Sequence, residues 1–217
     1  MEQLRELMIA GNLADVQSLI EVQKPKDAAE AYHRLGKDLY WKDKNLAASR
    51  AALTTGIAYA LEQARNTGSP ELIGAAKGMY YDLASFSWPG WDEPGIEIDE
   101  EALSFGEYAA DENLRLAIEL QRSDQPMASA HFIVGAFHLV RRRWPEARES
   151  FQRYRYHADR YGDAANAMLA EGYSLLTDRL ETGASCLEQF CEKLRAEGGD
   201  DGVFYADQLF TAAKALA

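Results

Sequence analysis

The residues that most often carry chemistry are few in this chain, and their spacing suits binding better than catalysis. His131 and His138 lie seven apart, two helical turns from each other, rather than at the i, i+4 separation of a helical zinc site. Cys186 and Cys191 lie five apart on one expected helix, so they point in different directions and suit no disulfide; both read as reduced, small core residues. Adjacent carboxylates such as Glu100 and Glu101 are too common on helices to define an acid–base pair. Gly-x-Ser-x-Gly, phosphate-loop, dinucleotide-binding and His-Glu-x-x-His patterns are absent. The sequence therefore leads to no catalytic residue, no metal ligand and no cofactor. Binding chemistry is better represented. The breaker-rich segment 87–98 carries Trp88 and Trp91 beside Asp92 and Glu93. It reads either as a contact for a partner or small ligand, or as an awkward connection anchored by two indoles.

The elements that must position these residues are helices. Hydrophobic residues at 47%, charged residues at 27% and only six prolines in 217 residues fit a folded helical protein. The net charge of −12 disfavours nucleic acid and anionic membrane surfaces as partners and makes a basic or apolar partner easier to accept. The N-terminal residues have no signal-peptide pattern and no run approaches the length of a membrane span, so the expected location is cytoplasmic.

Periodicity and turn chemistry predict a helical hairpin over 1–26 broken at Gly11-Asn12, then paired helices over 27–196, then a terminal helix over 201–217. The first pair turns at Asp43-Lys44-Asn45. The second opens on Ser69-Pro70-Glu71, where serine can cap free amides and proline loses no needed donor, and is interrupted by the insertion 87–98. The third turns at Trp144-Pro145-Glu146, and Gly162-Asp163 ends it and caps the fourth, expected over about 163–196.

Within these pairs a glycine recurs twelve residues before an alanine: Gly36 with Ala48, Gly135 with Ala147, Gly172 with Ala184. Small residues at fixed stations allow two antiparallel helices to touch, and repetition of such a hairpin builds an α-solenoid. The clearest copy reads Tyr32, Leu35, Gly36, Leu39, then Ala48 and Ala52. This order resembles the tetratricopeptide-repeat superfamily. The resemblance implies an all-α solenoid of about four hairpins with terminal capping helices, a single domain over 1–217.

It also implies that the first helices of successive hairpins line a concave groove for a partner peptide or helix. Carried onto this sequence, the groove stations are His33, Lys37, Tyr40 and Trp41, then Met79 and Asp82, Phe132 and Leu139, and Leu169 and Tyr173. Only Lys37 is placed for the carboxylate clamp known in that superfamily. The groove is either open or filled by the terminal helix or the tryptophan loop. The expected function is a non-enzymatic protein-binding module, an adaptor, co-chaperone or regulator. The alternatives are a ligand-sensing regulator that uses the Trp88/Trp91 loop, and an enzyme of unrecognised helical type. Ten acidic residues over 92–119 and the arginine-rich stretch 141–160 read either as complementary surfaces for self-association or as charges paired on the outside of one molecule.

Overall fold

The computed structural model describes residues 1–217, and its regular structure is helical throughout, with eleven α-helices and no strand. They are α1 (Glu2–Ile9), α2 (Leu13–Ile20), α3 (Pro25–Trp41), α4 (Leu46–Thr67), α5 (Pro70–Phe86), α6 (Glu100–Glu119), α7 (Asp124–Val140), α8 (Trp144–Tyr161), α9 (Ala164–Thr182), α10 (Leu187–Glu197) and α11 (Gly202–Leu216). No helix is long and apolar enough to cross a membrane. Packing divides the chain into two compact units where the sequence pattern led to one array. The first comprises Met1–Ser87 with Gly95–Leu116, the second Trp88–Pro94 with Ala117–Ala217.

Local chemistry sets the helix boundaries. Pro25 and Pro70 open α3 and α5, where a missing amide donor costs nothing. The side chains of Asn45, Ser69 and Asp163 accept from the amides of Ala48, Leu72 and Asn166, which satisfies donors that the helix itself leaves free. At the other end of α4 and α8, Gly68 and Gly162 take left-handed φ values of 71° and 82°.

In the first unit α3 packs against α4, α4 against α5, and α3 directly against α5. Gly36 makes the first contact close: a β-carbon built there would lie 2.5 Å from Leu53 Cγ, and Ser49 Oγ donates to the Gly36 carbonyl at 2.8 Å. Gly36 thus meets Leu53 and Ser49, which lie five residues and one residue past the expected station Ala48. In the second unit α7, α8 and α9 pack in sequence and α9 also contacts α10 and α11. Gly135 abuts Phe151, one turn past Ala147, which is itself fully buried.

The fourth hairpin departs from expectation. Ala184 and Cys186 are exposed in the connection between α9 and α10, because α9 ends at Thr182 and Gly183 turns the chain with φ 79°. Gly172 is instead filled by Leu209 of α11 and Phe190 of α10. Cys191 is buried and Cys186 is not, so only one of the two thiols is a core residue.

Candidate functional site

The face shared by α3 and α5 brings together four of the residues singled out in the sequence. His33 Nε2 lies 2.7 Å from Asp82 Oδ2, a bond that ties the middle of α3 to α5. Gly78, one turn before Asp82, leaves room for the ring; a β-carbon there would come to 3.3 Å from His33 Cε1. Lys37, one turn beyond His33 on α3, is exposed and its ammonium pairs with no carboxylate. Trp41, a further turn on, is 52% exposed despite its size. Its ring meets Tyr40 and Phe86 edge-on, and Lys44 Nζ lies 5.4 Å from its centroid.

Tyr40 belongs to the interior instead. It stacks on Phe86 with centroids 3.9 Å apart and is 1% exposed, because its station on α3 turns toward α5 while Trp41 faces out. Met79 is likewise fully buried. The surviving strip presents an imidazole held by a carboxylate, an unpaired ammonium and an indole, at successive turns of one helix. Such a strip can take hydrogen bonds, a carboxylate and an apolar group from a bound segment.

The corresponding stations of the second unit are not surface residues. Phe132, Leu139, Leu169 and Tyr173 are all buried. The residues 88–94 account for much of this. Trp88 is 1% exposed, packs against Phe132 and Tyr173, and donates its indole N–H to the Ala136 carbonyl at 3.2 Å. Trp91 meets Trp88 edge-on at 4.8 Å and also reaches Phe132. Pro89–Trp91 form a short 3-10 turn that packs on α11. Trp88 and Tyr173 are therefore interior side chains rather than ligand contacts, since burial of the indole and phenol rings against one another is far more favourable than leaving them in water. Trp91 remains partly exposed at the edge of this cluster.

Several features of the second unit carry no signal in residue spacing. His131 stacks on His157 with ring centroids 5.5 Å apart, and His157 Nδ1 lies 2.8 Å from Asp124 Oδ1. Burial, and after it the neighbouring His157 and Arg153, push the His131 imidazole down to about 4. Burial also pushes the Cys191 thiol up to about 11, which keeps it protonated and unreactive. Tyr154, Asn166, Asp163 and Tyr205 form a connected polar network, and Gln208 Nε2 donates to Tyr173 Oη at 2.7 Å. The arginine-rich helix pairs within its own unit: Arg148 with Asp178 and Glu181, Arg153 with Glu149, Arg155 with Glu171, Arg160 with Asp124. Comparison with protein-family models, curated proteins and solved structures finds no match.

Proposed function

We propose that the protein is a non-enzymatic interaction module of the tetratricopeptide-repeat type, and that a partner peptide or helix lies along the α3–α5 face of its first unit. The observation that carries this reading is the His33–Asp82 bond of 2.7 Å with unpaired Lys37 and half-exposed Trp41 on the same strip. An exposed tryptophan beside a free cation is an expensive surface for a chain to keep, and tryptophan with a charged neighbour is a common anchor pair at interfaces. Helix order in the first unit supports the repeat reading, because α3 contacts α5, two apart in sequence, as the first helices of stacked hairpins do; in the second unit α9 meets α11, the expected capping helix. The close approaches at Gly36 and Gly135 support it further.

On this reading Trp41 receives an apolar side chain of the partner and Lys37 a carboxylate or carbonyl, while Asp82 fixes the imidazole of His33 for a further hydrogen bond. The double change Lys37→Glu with Trp41→Ala is expected to abolish capture of the partner while helical circular dichroism and melting temperature stay unchanged. Capture that persists in a folded double variant contradicts the reading.

A further inference from the structure

A cleft lies within the second unit, lined by none of the residues of the α3–α5 strip. The start of α8, the end of α9 and the end of α11 enclose a cleft of about 510 Å³, within the range that holds small molecules. Its walls combine Trp144, Leu180 and Phe210 with three cations, Arg142, Arg179 and Lys214. Concentration of positive charge at one concavity is unexpected in a chain of net charge −12.

The three cations differ in what they have available. Arg179 pairs with Glu188, and Lys214 Nζ lies 3.0 Å from Asp92 Oδ2, so each already has a carboxylate partner. Arg142 is exposed and its guanidinium makes no hydrogen bond or ion pair. The backbone around it is tightly organised: Arg142 N–H donates to the Leu139 carbonyl and Arg143 N–H to that of His138. Arg142 itself sits at φ 57°, a left-handed position where glycine is the less strained choice.

We propose that this cleft binds a small amphipathic monoanion, an aliphatic or aromatic body bearing one carboxylate or sulfonate. The Arg142 guanidinium takes the anionic group, and Trp144, Leu180 and Phe210 enclose the body. One free cation matches one negative charge. A polyphosphate or a nucleic acid is disfavoured, because two of the three cations are already engaged and the rest of the chain repels a polyanion. The ion pair from Lys214 to Asp92 links the cleft wall to the tryptophan-bearing residues 88–94.

The probe is 1-anilinonaphthalene-8-sulfonate, followed by its fluorescence on titration into the full chain, with N-phenyl-1-naphthylamine as its uncharged counterpart. The expected result is one saturable sulfonate site, displaced by decanoate and not by decanol. Arg142→Gly removes the guanidinium while relieving the left-handed backbone, so it is expected to weaken the sulfonate about tenfold or more without lowering the melting temperature. Arg142→Gln serves as a second variant with a side chain of similar reach, and Arg153→Ala as a surface-arginine control that leaves binding unchanged. Equal affinity of the sulfonate for the parent and for a folded Arg142 variant overturns the proposal. So does the absence of a saturable site in the parent, or displacement by decanol as effective as by decanoate.

Discussion

Gly135 and Phe151 define the spacing of the α7–α8 hairpin. A β-carbon added to Gly135 would lie 2.7 Å from Phe151 Cε1, and the Phe151 ring is fully buried with Tyr173 stacked on it at 5.1 Å. The ring is thus fixed from both sides and cannot retreat. Gly135→Ala is expected to destabilise the fold by about 1–3 kcal/mol, although alanine is the better helix former by about 1 kcal/mol. Urea unfolding measures this directly, and a midpoint equal to that of the parent contradicts the packing.

Trp88 anchors the residues 88–94 in the core of the second unit. Trp88→Ala is expected to cost about 3–5 kcal/mol, as for other large aromatic truncations. Gly90 offers an independent check, because its β-carbon would lie 2.3 Å from Trp88 Cζ2. Gly90→Val is therefore expected to displace the indole, with a red shift of tryptophan emission and a lower melting temperature. Replacing 88–95 by a short Gly-Asn turn is expected to unfold the second unit rather than leave a stable binding-defective protein.

His131 makes stability depend on pH. Its folded value, about 4, lies below the ordinary 6.5, so the unfolded chain takes up the proton first. The stability associated with neutral His131 is complete above pH 6.5 and is lost as pH falls toward 4, by about 3 kcal/mol in total. Asp124, held low first by its hydrogen bond to His157 and then by that to Arg160, adds to the loss at still lower pH as it becomes protonated. Denaturant midpoints from pH 7 to 4 are expected to fall less steeply in His131→Gln than in the parent.

Much of the helical framework is legible in the sequence because it depends on short-range chemistry. Pro70 after Ser69, Gly162 before Asp163 and the turn at 43–45 mark boundaries through local backbone preference, and the structure places helix ends there. His33 and Asp82 are legible as helical stations on α3 and α5, and their bond to one another comes from the packing of the two helices. What depends on three-dimensional neighbours is not legible. Tyr40 is the exception: buried Tyr32, Leu35, Gly36, Leu39 and Tyr40 follow the i, i+3, i+4, i+7, i+8 stripe, so local periodicity separates Tyr40 from exposed Trp41, and the groove station carried over from the repeat family overrides it. Trp88 is drawn inside by Phe132 and Tyr173, distant in sequence. Ala184 misses the second helix of its hairpin because α9 runs on to Thr182, ten residues past Gly172, whereas α3 and α7 end five residues past Gly36 and Gly135. The cleft at Arg142 gathers residues from three helices and has no linear signature.

Site-specific photocrosslinking in cells shows most directly whether a partner segment lies on the α3–α5 face. A benzophenone amino acid replaces Trp41 on the strip or, as a control, exposed Thr54 on α4. The expected result is a discrete adduct from position 41, none from position 54, and loss of the position 41 adduct when Lys37→Glu is added to the same chain. No adduct from position 41, or one indifferent to the charge at position 37, would contradict it.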